Sequence, residues 1–146
     1  MAELLRTHAL ESRVEALAAA GIVVEPYVAM TNVRGADAPP AGIRLGPDEW
    51  LVVGAAGEPG GSVTDVSAQW ITLRLTSGHA RDVLATGCAI DLHPRAFPEG
   101  TSVQTRLAQA GVILTSLGAG GYRVLVRSTF AGYLADWLLD ATSEFR

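Results

Sequence analysis

Apolar and polar residues alternate with a period of two in the segment 70–76, and this pattern constrains the fold of the chain most strongly. Ile71, Leu73 and Leu75 fall on one face of an extended strand. The opposite face is semi-polar and carries Trp70, Thr72 and Arg74. We therefore expect the apolar face to join a core and the semi-polar face to meet a partner or a ligand.

The remaining segments predict short strands and three helices. Helices are expected at 7–20, 79–86 and 129–143, and strands at 22–28, 30–34, 43–45, 50–53, 62–66, 103–107, 112–114 and 122–127. The third helix carries an apolar stripe of Phe130, Leu134, Trp137, Leu138 and Ala141. Hairpin turns are expected at 46–49, followed by a core Trp50, and at 118–121.

Polar and small residues predict the helix ends. Ser12 and Glu15 fit a capping box, Ser77 can cap the second helix, and Gly87 can end it. Hairpins segregated from a few helices indicate an α+β fold rather than a doubly wound parallel sheet. The C-terminal half, with a helix between strands and a helix at its end, suits a ferredoxin-like arrangement.

Composition indicates one domain over residues 1–146 and excludes several classes of protein. Hydrophobic residues make up 49%, which leaves apolar surface for a partner, although an alanine- and valine-rich composition explains the same value. The 11 basic residues are dispersed and the net charge is −4, so no nucleic-acid partner is expected. Without a membrane-length apolar run or a secretory leader, a cytoplasmic protein is expected.

The loop after the second helix contains the chain's one Cys together with other reactive residue types. Cys88 and His93 are the nucleophile and base to consider, but the end of a helix disfavours a thiolate, so a buried, inert thiol is the favoured interpretation. One Cys with one His lacks the ligand set of a metal site. The loop is expected to be fixed by a polar knot, which is a set of hydrogen bonds among Asp91, His93 and Arg95. In it, Arg95 would bind Asp91 or a backbone carbonyl. Phe97 is the last residue of the loop.

Three blocks of the sequence resemble the gamma subunit of heterotetrameric sarcosine oxidase. They are Leu-Gly-Pro-Asp-Glu-Trp-Leu-Val at 45–52, Gly-Cys-x-x-Asp-Leu-His-Pro-Arg-x-Phe at 87–97 with Gln-Thr-Arg-Leu at 104–107, and the run 122–138. This family is related to the folate-binding domain of aminomethyltransferases such as the glycine-cleavage T-protein. The resemblance implies an antiparallel sheet with helices on one face. The connections 34–41 and 54–62 are short for the family, so the N-terminal half is abbreviated.

The resemblance also implies a function. The chain would be a non-catalytic, structural subunit of an assembly that demethylates sarcosine or a similar N-methyl amino acid to glycine, formaldehyde and hydrogen peroxide. FAD, FMN, NAD and tetrahydrofolate would belong to partner subunits, which are the alpha, beta and small delta subunits. The face of Trp70, Thr72 and Arg74 and the loop from Cys88 to Phe97 would hold these subunits together.

Folate binding by this chain itself is the alternative. Gln104 and Arg106 share one face of a predicted strand, and a pterin with a glutamate tail needs paired hydrogen-bonding groups and an arginine. A free-standing folate- or pterin-binding module is therefore the second hypothesis, and a small transferase is a third. A dinucleotide site is not expected, because the glycines at 118–121 precede a strand rather than a helix.

Overall fold

The computed structural model describes residues 8–25, 27–35 and 37–145. Within these residues the helices are α1 (Val14–Ala19), α2 (Ala80–Ala85) and α3 (Ala131–Thr142). The strands are β1 (Ile22–Glu25), β2 (Met30–Arg34), β3 (Ile43–Gly46), β4 (Glu49–Val53), β5 (Ser62–Asp65), β6 (Trp70–Leu75), β7 (Ser102–Leu107), β8 (Ala110–Gly118) and β9 (Gly121–Arg127). Short 3₁₀ turns lie at Glu11–Arg13, Ser67–Gln69, Ser128–Phe130 and Ser143–Phe145.

The larger sheet has five strands in the order β1-β6-β9-β8-β7, and its neighbours all pair antiparallel. The apolar residues of β6 lie opposite those of β9, and Leu73, for example, pairs with Val124. One face of this sheet packs against all three helices and forms the larger core. Its members include Leu17 of α1, Val83 and Leu84 of α2, and Leu134 and Leu138 of α3. The α+β class with an antiparallel sheet is therefore confirmed.

A second sheet of four strands, in the order β3-β4-β2-β5, lies on the other side of the larger sheet. The two sheets meet in a smaller core. It contains Met30, Leu51, Val66, Trp70, Ile113 and Leu125. The order of layers is therefore helices, five-stranded sheet, four-stranded sheet, and both faces of the central sheet are covered in the middle.

Both predicted hairpin turns are confirmed. β3 and β4 pair across residues 46–49 with a bulge between Arg44 and Gly46. β8 and β9 are joined by a turn in which Gly118, Ala119 and Gly120 all have positive φ. Two glycines in this turn accept a backbone conformation that residues with a Cβ rarely adopt.

Several strand bounds differ from the prediction. β8 runs over nine residues, far beyond the expected 112–114, because its polar Thr115 and Ser116 are paired within the sheet. β1 ends at Glu25, and Tyr27 then takes a φ of 64°, which breaks the extended conformation. Pro26, a residue type that indicates an edge or a bend in a strand, lies outside the described residues.

The helix ends also differ. α1 begins at Val14 after a 3₁₀ turn, so the capping box of Ser12 and Glu15 is wrong, and Thr7 lies outside the described residues. The second helix begins after His79 without a side-chain cap. Ser77 contributes its backbone carbonyl, which accepts a hydrogen bond from the Ala80 amide, and not the predicted hydroxyl cap.

Two aromatic residues predicted in the core are more exposed than expected. Phe130 belongs to the 3₁₀ turn before α3 and is 50% exposed. Because a 3₁₀ turn has fewer residues per turn than an α-helix, Phe130 does not line up with the apolar stripe of α3. Trp50 is only half-buried, since it lies on the face of β4 opposite to Leu51. The guanidinium of Arg44 lies 5.5 Å from the centre of its ring. The rest of the stripe on α3 faces the core, with Leu134 and Leu138 fully buried.

Candidate functional site

The loop of residues 88–97, here called the docking loop, is held by two buried apolar side chains. Leu92 and Phe97 both join the larger core. The ring of Phe97 stacks on Tyr122 with 6.4 Å between centroids, and the Tyr122 hydroxyl donates to the Leu92 carbonyl over 3.4 Å. Because its anchors are buried, the loop presents its exposed residues in a fixed arrangement. Phe97 is therefore an anchor of the loop and not part of its surface.

Backbone amides, rather than the arginine side chain, form the polar knot. Asp91 Oδ1 accepts a hydrogen bond from the His93 amide at 2.9 Å, and His93 Nδ1 accepts one from the Arg95 amide at 3.1 Å. The predicted contact of the Arg95 guanidinium with Asp91 or a carbonyl is not found among the residues that the structure describes. Asp91, His93 and Arg95 are all exposed to solvent.

Cys88 lies three residues after the end of α2 and is half-buried against the larger core. The described contact of its Sγ is with the Thr105 hydroxyl at 3.9 Å. A hydroxyl group cannot take the thiol proton as a general base at neutral pH, so this environment does not activate the sulfur. Cys88 therefore packs against the core, but it is half-buried and not buried as predicted.

The semi-polar face of β6 is largely covered by the chain itself. Trp70 is 9% exposed and belongs to the smaller core, and Thr72 is 1% exposed. The prediction of an open face is wrong for these two residues, because the four-stranded sheet packs on them. Arg74 remains exposed, and its Nη1 contacts Glu25 Oε1 at 3.1 Å.

The two folate candidates are both engaged within the chain. Gln104 donates from Nε2 to the Leu45 carbonyl at 2.9 Å, which ties β7 to β3 of the other sheet. Arg106 donates from Nη2 to the carbonyl and the side-chain oxygen of Gln109 at 3.3 and 3.2 Å. Through these contacts the two side chains connect segments of the chain itself. The contacts do not support a pterin site.

Arg123 is a site residue that the sequence patterns did not single out. It lies on β9 and is half-buried, and its Nε has no hydrogen-bond partner among the described residues. Burial lowers the pKa of Arg123; the nearby Glu25 raises it and Arg74 lowers it further. A buried donor without a partner costs about 1–3 kcal/mol. The sequence indicated only that Arg123 lies on the face of β9 opposite to Tyr122 and Val124, and nothing in it marked the residue as functional.

Two exposed aromatic residues were also missed. Phe130 and Tyr133 are 50% and 43% exposed, and the Tyr133 hydroxyl accepts a hydrogen bond from the Gln109 amide at 3.2 Å. The turn containing Gln109 is tied in addition to the start of the docking loop, since the Ala108 amide donates to the Gly87 carbonyl at 2.9 Å. The exposed tyrosine therefore lies beside the point where the loop leaves α2.

Further functional groups were sought in the described part of the chain. No cluster of three or more His, Cys, Asp or Glu residues that could hold a metal ion occurs there. None of the described helices is both long and apolar enough to cross a membrane. The glycines at 118–121 lie in the β8–β9 hairpin, so they do not open a helix as a dinucleotide-binding loop does.

Two stacked antiparallel sheets, helices on one side and an anchored, exposed loop define a small α+β domain. Residues 60–144 match the family described as "Sarcosine oxidase, gamma subunit family". The chain belongs to this sarcosine oxidase gamma subunit family.

Individual relatives agree with this membership. The chain is 38% identical over 142 residues to the sarcosine oxidase subunit gamma of Corynebacterium sp. (strain U-96), a match that covers 89% of this chain and 69% of the relative. It is 38% identical over 127 residues to the same subunit of an Arthrobacter species, covering 78% of this chain and 62% of the relative. A chain of the heterotetrameric sarcosine oxidase from Corynebacterium sp. U-96, in complex with pyrrole 2-carboxylate, superimposes with a TM-score of 0.85 at 26% identity and covers 97% of both chains.

Proposed function

We propose that this chain is the structural gamma subunit of a heterotetrameric, flavin-dependent sarcosine oxidase. The assembly would convert sarcosine, or a similar N-methyl amino acid, with oxygen and water into glycine, formaldehyde and hydrogen peroxide. The observation that carries the proposal is the structural match of 0.85 in TM-score over 97% of both chains to a member of such an assembly. The match of residues 60–144 to the gamma subunit family supports it independently.

The proposal assigns the redox chemistry to other chains. FAD, FMN, NAD and tetrahydrofolate would be held by the alpha and beta subunits and a small delta subunit, within the cytoplasm. This chain would supply one domain, residues 1–146, with a fold of the aminomethyltransferase folate-binding-domain type. The half-buried Cys88, with a hydroxyl as its described partner, agrees with a subunit that performs no nucleophilic step.

The docking loop is the surface proposed to meet another subunit. Asp91, His93 and Arg95 are exposed on a loop whose anchors, Leu92 and Phe97, are buried. A surface that is already ordered loses little conformational entropy on binding. The exposed charges can then select a partner through complementary charge, which affects the association rate in particular.

The exposed aromatic residues extend this surface. Tyr133 adjoins the turn that is bonded to Gly87, so it borders the beginning of the docking loop. Tyrosine and phenylalanine are enriched in the buried centres of interfaces, where they bring large contact areas. We propose Phe130 and Tyr133 as apolar contacts and Arg95 as a charged contact with the partner subunit.

Co-expression tests the proposal directly. The tagged chain would be produced with the alpha, beta and delta subunits of the same organism, and the purified material assayed for flavin absorbance and for peroxide on addition of sarcosine. The expected result is a yellow complex far larger than 15.3 kDa that makes peroxide. A colourless chain that purifies alone would contradict it.

A matched pair of variants locates the interface. Arg95→Glu should reduce the yield of the complex at physiological salt, whereas Arg81→Glu, at an equally exposed arginine on α2, should not. Equal yields for the two variants would remove the docking loop from the interface while leaving the subunit assignment in place. No observation favours the free-standing folate module, since the side chains of Gln104 and Arg106 are hydrogen-bonded within the chain.

A further inference from the structure

A row of five cross-strand partners, four of them polar, crosses the larger sheet at the end away from Trp70. Successive cross-strand partners in this row are Val23 of β1, Arg74 of β6, Arg123 of β9, Thr115 of β8 and Ser102 of β7. All five therefore lie on the face that meets the four-stranded sheet. Two rows further along the strands, Trp70 and Arg127 lie at the opposite end of the same face.

Arg123 carries a positive charge in this row and has no ion pair of its own among the described residues, although Glu25 lies near it. The carboxylate of Glu25 forms its ion pair with Arg74, at 3.1 Å, and no ion pair or hydrogen bond of the Arg123 guanidinium occurs among the described residues. Arg74 lies directly opposite Arg123 and repels it. The hydroxyl of Thr72, in the adjacent row, is also buried without a described partner. A negatively charged group could thus form an ion pair with the Arg123 guanidinium here.

The hydroxyl pair beside Arg123 provides a further donor. Ser102 Oγ and Thr115 Oγ1 lie 2.7 Å apart. One of the two hydrogens is used between them, so the other remains to donate to a third oxygen. Thr115 is buried and lies opposite Arg123 in the register. The cation and the spare hydroxyl hydrogen are therefore on neighbouring strands.

These groups border a cleft of about 450 Å³ between the two sheets. Ser102, Thr115 and Arg123 line one side, and Ile43 and Val53 of the second sheet line the other. We propose that this cleft binds a small organic carboxylate, with its charge on Arg123, an oxygen on the Ser102–Thr115 pair and its apolar body against Ile43 and Val53. The size is within the range of small-molecule pockets.

Nuclear magnetic resonance of the full chain tests the site, with sodium butyrate as the probe. Titration should shift the amides of Ser102, Thr115 and Arg123 and the Nε–H signal of Arg123 along a saturating curve. Sodium chloride at the same ionic strength, and butylammonium chloride, should not reproduce these shifts. Shifts that grow linearly without saturation, or that chloride reproduces, would overturn the proposal.

A matched pair of arginine variants separates binding from structure. Arg123→Met should weaken butyrate binding by at least about tenfold, the loss expected for a charge-assisted hydrogen bond. Its melting temperature without butyrate should stay equal or rise, because the substitution removes a half-buried charge that lacks a described partner. Arg127→Met, on the same face of the same strand, should bind butyrate as the native chain does.

Two further variants keep the test decisive if Arg123→Met fails to fold. Ser102→Ala removes one hydroxyl of the pair and should weaken butyrate binding several-fold, and Arg123→Lys should weaken it while retaining the charge. Unchanged affinity in these variants would assign Arg123 and the hydroxyl pair to packing alone. Because the isolated chain is titrated, the outcome does not depend on whether the oxidase assembly forms.

Discussion

Gly87 lies between α2 and the docking loop and packs against Trp137 of α3. A Cβ at this position would lie 2.5 Å from Cζ2 of Trp137 and 3.2 Å from the Ala108 amide nitrogen. Its φ is not among the positive values, so a left-handed conformation at the end of the helix does not explain the glycine. The glycine is required because the Trp137 ring occupies the space of a side chain.

Gly87→Ala should therefore lower the free energy of unfolding by roughly 1–3 kcal/mol, the range for overpacking a core position. Urea unfolding followed by tryptophan fluorescence measures this. Gly78→Ala is the control, because a Cβ there meets no atom within 4 Å. The further change Trp137→Leu should recover part of the loss, and a neutral Gly87→Ala would show that the Trp137 contact is looser than described.

Arg13 and Asp136 join the 3₁₀ turn before α1 to α3. Arg13 Nε donates to Asp136 Oδ1 at 2.7 Å, and Nη2 donates to Oδ2 at 3.1 Å. The hydrogen bond from Arg13 holds the pKa of the Asp136 carboxyl below its ordinary 3.8. A lowered folded-state pKa means that the stabilisation is complete above the unfolded-state value and is lost as the pH falls through the folded-state value.

Asp136→Asn should accordingly lower the melting temperature at neutral pH, with the difference from the native chain shrinking as the pH falls below 3.8. The effect is expected to be small, because both side chains are partly exposed and screened by solvent. Melting curves across this pH window measure it. Asp140→Asn on the same helix serves as the control, and a pH-independent difference would contradict the linkage.

At the scale of elements, the second sheet is attached to the first mainly by apolar contacts in the smaller core. Leu51 of β4 is fully buried there, together with Met30 and Leu125. A polar contact joins two edge strands, from Gln104 of β7 to the Leu45 carbonyl of β3. The stability of the sandwich therefore depends on a few large side chains.

Leu51→Ala should lower the free energy of unfolding by about 2–5 kcal/mol, as expected for a buried leucine that leaves a cavity. Hydrogen exchange should accelerate first in the amides of β2 and β4. Val63→Ala in the same sheet is the control, because Val63 is 54% exposed. Equal protection of the two sheets in Leu51→Ala would show that the second sheet does not depend on this core.

The strands and hairpins followed from local patterns, whereas the two-sheet arrangement did not. Period-two alternation in β6 and β9 identifies a strand and its apolar face. It cannot say what covers the other face, so Thr72 looked available to a partner although the second sheet buries it. Helix ends were missed for a related reason, since backbone groups and 3₁₀ turns replaced the side-chain caps.

At the scale of the whole molecule, the exposed loop was predictable and its internal bonding was not. Prolines and polar residues indicated an irregular loop at 88–97, but the Asp91 and His93 bonds to backbone amides depend on its folded path. Arg123 became a candidate binding residue only through the strand register, which pairs it with Arg74 on one neighbouring strand and with Thr115 on the other. Site residues of this kind arise from contacts between distant segments.

The central claim is that this chain functions within an oxidase assembly rather than alone. Native mass spectrometry of the chain co-expressed with the alpha, beta and delta subunits tests it most directly. The account predicts one particle containing a single copy of this 15.3 kDa chain together with all the larger subunits and their flavins. A spectrum in which this chain appears only as a free species, beside an oxidase that assembles without it, would contradict the account.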